Sequence, residues 1–185
     1  MSTTSAPLTT DTRRERLISF PNPVNENAAR TVAGGVFLFT ILTLVLALAV
    51  DQRWLWLSAV LAVGFIARAL TGPKLSPLGA LATKVIAPRL GPARPVAGPP
   101  KRFAQTVGAV FTTTATILVA FGQFLPAGIL LAVIVVFSGL ESIGNFCVGC
   151  LVFNAGIRAG IVPESVCEEC ANVSLRYARL AGERQ

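Results

Sequence analysis

Four cysteines carry the clearest chemical signal in the sequence. They fall in two pairs, Cys147-Val-Gly-Cys150 and Cys167-Glu-Glu-Cys170, and 16 residues separate the pairs. Two C-x-x-C pairs at this spacing are typical of a site in which four thiolates bind one Zn²⁺. The same C-x-x-C unit is also the motif of dithiols that exchange electrons by forming and breaking a disulfide. The pattern favours one of these two chemistries and leaves both open, with inert thiols as the remaining alternative.

The absence of histidine from the sequence narrows the chemistry further. It excludes Ser-His-Asp and Cys-His catalysis, His-ligated haem and every zinc site with an imidazole ligand from this chain. Any reaction must therefore use cysteine, carboxylate, Lys, Arg or Tyr side chains. Whether the chain is an enzyme stays open on these grounds.

Two charged residues, Arg68 and Glu141, fall inside long apolar segments. Ionisable side chains at such a depth in a membrane are costly, so each needs a partner or a function. Arg68 follows Trp54 by 14 residues and Glu141 follows Pro126 by 15, which gives both a similar depth at about 1.5 Å per helical residue. We predict an intramembrane ion pair that fixes helix register. Alternatively, Glu141 carries a proton or Arg68 holds an anionic substrate.

The composition that surrounds these residues is that of a membrane protein. Of the 185 residues, 53% are hydrophobic and only 14% are charged, unlike an ordinary soluble domain. The uncharged run 103–140 is too long for one span and is expected to turn between Gly122 and Ala127. We predict an all-α, integral membrane four-helix bundle in a lipid bilayer, with spans at about 30–50, 54–70, 103–122 and 126–147.

The remaining segments flank these spans. They are an amino-terminal tail at 1–27, a loop at 71–101 inside the membrane domain 28–153, and a cysteine-containing tail at 154–185. Ser76-Pro77 is typical of an N-cap and first helical residue, so the loop is expected to hold a short helix on the membrane surface. Asn25 and Asn27 are candidate caps for the first span. From Pro163 onward, the spacing of apolar residues predicts an amphipathic C-terminal helix.

The distribution of basic residues predicts the orientation. The net charge is +7, but the Lys and Arg residues lie between apolar spans, so nucleic-acid binding is not expected. They concentrate before the first span and in the loop after the second, which by the positive-inside rule face the cytoplasm. Both termini of this multi-pass plasma-membrane protein, and all four cysteines, are then cytoplasmic. The basic residues are Arg13, Arg14, Arg16, Arg30, Lys74, Lys84, Arg89, Arg94, Lys101 and Arg102.

This arrangement affects the reactivity of the cysteines. If the fourth span ends near 147, Cys147 lies at the carboxyl end of a helix, where the helix dipole disfavours a thiolate. The helix dipole ceases to disfavour the Cys147 thiolate only if the chain unwinds at Gly144 or Gly149. A stable structural disulfide is not expected in the reducing cytoplasm.

Several separate motifs occur in order along the chain. They are Phe20-Pro-Asn-Pro-Val-Asn-Glu26, Ala67-Arg68-Ala-Leu-Thr-Gly-Pro73 with Ser76-Pro-Leu-Gly79, Val85-Ile-Ala-Pro-Arg-Leu-Gly91, Gly98-Pro-Pro-Lys-Arg-Phe103 and Asn145-Phe-Cys-Val-Gly-Cys150. Together they resemble the actinobacterial members of the family called domain of unknown function 4395, over about Phe20 to Cys170. Such proteins are often encoded near thioredoxin-like and sulfurtransferase proteins. The resemblance therefore implies thiol or sulfane-sulfur chemistry at Cys147 and Cys150.

The leading hypothesis is a membrane component of thiol redox or sulfur metabolism. In it, Cys147 and Cys150 exchange electrons or sulfur with a soluble thioredoxin-like or sulfurtransferase partner. One alternative is a non-catalytic membrane scaffold whose four cysteines hold a structural zinc. Another is a small transporter that uses Arg68 and Glu141, although no inverted repeat is visible in the sequence.

Overall fold

Four long helices dominate the structure. The computed structural model describes residues 24–73, 76–92 and 94–161, and within them the chain is all-α apart from one two-stranded ribbon. The long helices are α1 (Glu26–Ala49), α2 (Ser58–Thr71, which continues a 3₁₀ helix at Gln52–Leu57), α4 (Gly98–Ala120) and α5 (Phe124–Ser142). Each is long and apolar enough to cross a membrane when the 3₁₀ turn is counted with α2. The prediction of a four-span membrane protein is confirmed.

Three shorter elements complete the described fold. They are α3 (Pro77–Leu81), α6 (Val148–Arg158) and an antiparallel ribbon of β1 (Val24–Asn25) with β2 (Pro95–Val96). In the ribbon, Val24 is opposite Val96 and Asn25 is opposite Pro95. The predicted amphipathic helix from Pro163, with Cys167 and Cys170, lies outside the described residues.

The spans pack in an antiparallel arrangement. The main contacts join α2 to α4, α1 to α5, and α4 to α5, whereas α1 and α2 contact each other only sparingly. One end of the bundle gathers the amino ends of α1 and α4 and the carboxyl ends of α2 and α5. We call it the loop end, because residues 72–97 connect α2 to α4 there. Exposed apolar side chains cover the outside of the spans, as a lipid environment requires.

The turn between α4 and α5 occupies 121–123. Gly122 adopts φ +72° there, a left-handed conformation that glycine allows and that commonly ends helices. The amide of Gln123 donates to the carbonyl of Leu118 at 2.8 Å. The reversal predicted between Gly122 and Ala127 thus overlaps this turn only at Gly122 and Gln123, because α5 already begins at Phe124.

The interface between α2 and α4 depends on close helix approach. A Cβ added at Gly108 of α4 would overlap the ring of Phe65 of α2. Farther along, the hydroxyls of Ser58 and Thr116 form a hydrogen bond of 2.9 Å between the two helices. Thr112 and Thr116 also donate to carbonyls four residues earlier in α4, as expected of threonine in membrane helices.

This close approach predicts a stability effect at Gly108. Replacing Gly108 with Val is expected to lower the free energy of unfolding by about 1–3 kcal/mol, because the new side chain forces the Phe65 ring and the helices apart. Gly128→Val is the matched control, since a Cβ at Gly128 meets no atom within 4 Å. The measurement is thermal unfolding of the purified variants in detergent. Equal melting temperatures for the two variants would contradict the packing described here.

The loop end is closed by the segment after α2. Ser76 caps α3 by accepting a hydrogen bond from the amide of Gly79 at 3.3 Å, and Pro77 is the first helical residue, which confirms the sequence prediction. Leu78 packs against α1 at Gly35, where an added Cβ would lie 2.8 Å from Leu78 Cδ1. After α3 the chain continues as a single π-helical turn and a 3₁₀ turn, 82–90. The loop is thus attached to the bundle.

The start of α1 is tied to the same loop. Asn25 caps α1, because its Oδ1 accepts a hydrogen bond from the amide of Asn27 at 3.0 Å. Asn27 itself lies inside the helix, and its Nδ2 donates to the carbonyl of Pro92 at 3.2 Å. The amide of Glu26 donates to the carbonyl of Arg94 at 2.8 Å. The cap predicted at Asn25 is therefore confirmed, whereas the cap predicted at Asn27 is wrong.

Candidate functional site

The fourth span ends earlier than the sequence predicts. Helix α5 stops at Ser142 rather than near 147, and Arg30 of α1 binds the carbonyl of Ser142 through Nε at 3.3 Å and Nη2 at 3.1 Å. This cation satisfies a carbonyl that the helix end leaves without a partner. Asn145 then adopts φ +55°, a left-handed conformation that asparagine tolerates better than most residues. The chain unwinds at Gly144, and a new helix, α6, begins at Val148.

Cys147 is the N-cap of α6. Its backbone is extended, and its Sγ accepts a hydrogen bond from the amide of Cys150 at 3.3 Å. The prediction that Cys147 lies at the carboxyl end of a helix is wrong, because α5 has already ended at Ser142. At an amino terminus the helix dipole favours a thiolate.

The two thiols of this pair differ in protonation. The Cys150 thiol donates a hydrogen bond to Cys147 Sγ at 2.7 Å. This hydrogen bond lowers the pKa of Cys147, and the positive charge of Lys101 lowers it further, although burial and the negative charge of Glu141 oppose both. The same hydrogen bond raises the pKa of Cys150, and burial and the Cys147 charge add to that effect. Cys147 is therefore the candidate nucleophile, and Cys150 holds the proton.

An ion pair lies beside the cysteines. Lys101 in the first turns of α4 and Glu141 near the end of α5 are paired at 2.5 Å between Nζ and Oε1, and their side chains are only 11% and 14% exposed. The predicted pair of Arg68 with Glu141 is wrong. Helix α4 begins at Gly98 rather than at 103, which brings Lys101 into the helix and next to Glu141.

Arg68 has different partners because α2 packs on α4 rather than on α5. Its Nε donates to Gln105 Oε1 at 2.9 Å, and its Nη1 donates to Ser76 Oγ at 3.3 Å. The guanidinium also lies over the ring of Phe65, with Cζ 4.6 Å from the ring centroid. The two intramembrane charges therefore belong to two separate networks.

Helix α6 is held against the start of α4. A Cβ at Gly149 would lie 2.8 Å from Ala104 Cα, so only glycine allows α6 to approach this closely. The rings of Phe103 and Phe153 add a contact with centroids 5.7 Å apart. This packing places the cysteine pair beside Lys101.

Sequence reasoning missed both Lys101 and α6. The signal for Lys101 was Pro99-Pro100 after Gly98, since proline is favoured in the first turn of a helix and indicates an earlier start for α4. The signal for α6 was Gly144-Asn145, two residues that tolerate the left-handed conformation found after helices.

A small cavity of about 170 Å³ reaches the cysteine pair from inside the bundle. Its walls are mainly apolar, with contributions from α1, α2, α4, α5 and α6, and include Val36, Phe65 and Phe137. Glu141 and Cys147 are among the lining residues. The sulfur of Cys147 is thus half-buried beside apolar side chains and a carboxylate.

The hypothesis of a four-cysteine zinc site involves two cysteines within the described residues and two outside them. Cys147 and Cys150 supply two thiols in contact, which suits half of a four-thiolate site. Within 24–73, 76–92 and 94–161, no cluster of three or more His, Cys, Asp or Glu side chains could hold a metal ion. Cys167 and Cys170 lie outside those ranges, so the four-cysteine zinc site stays a prediction.

Comparison with known proteins identifies a family. No curated protein matches the chain, and no solved structure matches it. The family model described as Domain of unknown function (DUF4395) matches residues 24–158. That match contains all four spans, the ion pair of Lys101 with Glu141, and the pair Cys147 and Cys150. The chain therefore belongs to the family of domain of unknown function 4395.

Proposed function

We propose that this membrane protein exchanges electrons through Cys147 and Cys150 with a soluble thioredoxin-like partner. The observation that carries the proposal is the contact of the two sulfurs at the amino terminus of α6, with Cys150 donating to Cys147. A C-x-x-C pair in which the first thiol caps a helix and has a lowered pKa suits thiol–disulfide exchange.

In the proposed reaction, the disulfide of the partner is the oxidant and the dithiol of Cys147 and Cys150 is the reductant. The Cys147 thiolate attacks one sulfur of that disulfide, which forms a mixed disulfide and releases a thiolate on the partner. Cys150 then attacks the Cys147 sulfur and expels the second partner sulfur as a thiolate. The Cys150 proton passes to one partner thiolate, and a proton from water passes to the other. The products are a Cys147–Cys150 disulfide and a partner dithiol, so two electrons have moved to the partner. The reverse sequence reduces the pair again.

We further propose that the loop end faces the cytoplasm. Among the described residues, the opposite end of the bundle carries Arg53 as its basic side chain, whereas the loop end carries several. The positive-inside rule supports this orientation. The basic residues near the loop end are Arg30, Lys84, Arg89, Arg94, Lys101 and Arg102.

The test uses the full chain in detergent and a purified thioredoxin in which Ser replaces the resolving cysteine and the other cysteine is activated as a mixed disulfide with 2-nitro-5-thiobenzoate. Replacing Cys150 with Ser is expected to trap a mixed disulfide between Cys147 and this thioredoxin, because neither protein then has a neighbouring thiol that resolves it. Replacing Cys147 with Ser is expected to yield none. The double variant Cys167→Ser/Cys170→Ser is the matched control, since it removes the other pair and should exchange as the wild type does. Non-reducing electrophoresis and mass spectrometry identify the linkage.

Metal analysis of the purified protein can overturn the redox proposal. If protein purified without chelator holds one zinc per chain with all four thiols protected, the redox proposal is overturned and the structural zinc scaffold replaces it. Absence of any mixed disulfide in Cys150→Ser would also count against electron exchange.

A further inference from the structure

Arg68 is a buried cation that lacks a neutralising partner within the described chain. The residue is 5% exposed, and its Nη2 makes no hydrogen bond to any described residue. Its other nitrogens bind the neutral side chains of Gln105 and Ser76. Arginine keeps its charge in proteins, and a buried charge without an opposite charge is costly. The site therefore needs an anion from elsewhere.

A groove opens beside this guanidinium. Because α1 and α2 contact each other sparingly, a cavity of about 620 Å³ lies between them and is closed at the loop end by α3. Arg68 and Ser76 line one part of it, and the other walls are almost entirely apolar. Gly64 faces the guanidinium, since a Cβ there would lie 3.3 Å from Arg68 Nη1. The groove thus combines one cationic end with a long apolar wall.

We propose that this groove binds an anionic phospholipid, with the phosphate at the Arg68 guanidinium and an acyl chain along α1 and α2. The apolar wall includes Phe39 of α1 and Val60 and Val63 of α2. Val60 and Val63 are 58% and 68% exposed, so the groove is continuous with the outer surface that faces lipid. An acyl chain can therefore enter the groove laterally from the bilayer. This lateral opening favours a lipid over a small soluble anion as the ligand.

The depth of Arg68 also suits a lipid phosphate. Helix α2 ends at Thr71, three residues beyond Arg68, which is about 4.5 Å along the helix axis. The guanidinium is thus near the loop end of the span rather than at its centre. Basic pockets between membrane helices bind anionic head groups in this way.

Native mass spectrometry of the full chain in mild detergent tests the proposal. The wild type is offered phosphatidylglycerol and phosphatidylcholine with identical acyl chains in equal amounts. We expect it to retain phosphatidylglycerol at least about tenfold better, because both lipids offer a phosphate, but the choline ammonium of phosphatidylcholine cancels the net negative charge that would neutralise the buried guanidinium. Arg68→Gln is expected to lose the preference. The matched control is Arg53→Gln, because Arg53 is exposed at the opposite end of the bundle and paired with Asp51.

Two further measurements test the proposal even if the Arg68→Gln variant fails to fold. Val60→Trp leaves the guanidinium in place but fills the apolar wall, and it is expected to weaken retention of phosphatidylglycerol. Excess inorganic phosphate is expected not to displace the lipid. The proposal is overturned if the wild type has no preference between the two lipids, if Val60→Trp binds as the wild type does, or if free phosphate competes effectively.

Discussion

Replacing Lys101 with Met is expected to lower the free energy of unfolding by about 3–5 kcal/mol, because it leaves Glu141 as a buried charge without a partner. The two side chains are nearly inaccessible and are in direct contact, so solvent cannot take over the role of the lysine. Thermal and denaturant unfolding in detergent give the measurement. The adjacent Arg102→Met is the matched control, since Arg102 is exposed and, among the described residues, its side chain donates only to the carbonyl of Ala69.

A double variant separates charge from packing in that experiment. Replacing Lys101 with Met and Glu141 with Gln removes both charges, so most of the lost stability is expected to return. If the double variant is as unstable as Lys101→Met alone, then the lysine contributes by packing and the ion pair is not the cause.

Alkylation of the cysteine pair is expected to be strongly asymmetric. At pH 7, iodoacetamide should modify Cys147 at least about tenfold faster than Cys150, because the thiolate is the reactive form and the pKa of Cys147 is lowered while that of Cys150 is raised. The rate at Cys147 should rise with pH and reach half its maximum below about 8.5, the value of an ordinary thiol. Mass spectrometry of quenched samples, in the Cys167→Ser/Cys170→Ser background, gives the two rates separately.

Single substitutions are expected to shift the midpoint of this pH profile in defined directions. Cys150→Ala is expected to move the midpoint of Cys147 upward, since it removes the thiol hydrogen bond that is the largest cause of the lowered pKa. Lys101→Met should move it upward as well, and Glu141→Gln should move it downward, because their charges act in opposite directions. Equal midpoints for Cys147 and Cys150 in the parent protein would refute the assignment of Cys147 as the nucleophile.

The spans were predictable because the bilayer imposes a length and a polarity that few other environments require. Runs such as 31–50 have no charge, and the 38-residue run from Phe103 to Leu140 had to turn at its only cluster of glycine and proline. Caps at Asn25 and Ser76 were predictable for a local reason, since each side chain binds an amide two or three residues away.

The candidate site was only partly predictable because it depends on which helices are neighbours. Counting residues along a span gives the depth of Arg68 and Glu141, but it says nothing about their positions around the bundle. The pairing of α2 with α4 and of α1 with α5 decides that Arg68 meets Gln105 and that Glu141 meets Lys101. The cysteine spacing identified the candidate residues, whereas the turn that begins α6 brings the two sulfurs into the hydrogen bond that separates their pKa values.

The same pattern of helix contacts sets an order for assembly in the membrane. Helix α1 finds its principal partner in α5, about 100 residues later in the chain, and has little contact with α2. We therefore expect the first two spans to reach their final packing only after α4 and α5 have been inserted. Membrane helices are stable individually and associate afterwards by packing, so this delay is tolerated. The cysteine pair is positioned last, since α6 can dock only after the amino end of α4 is in place.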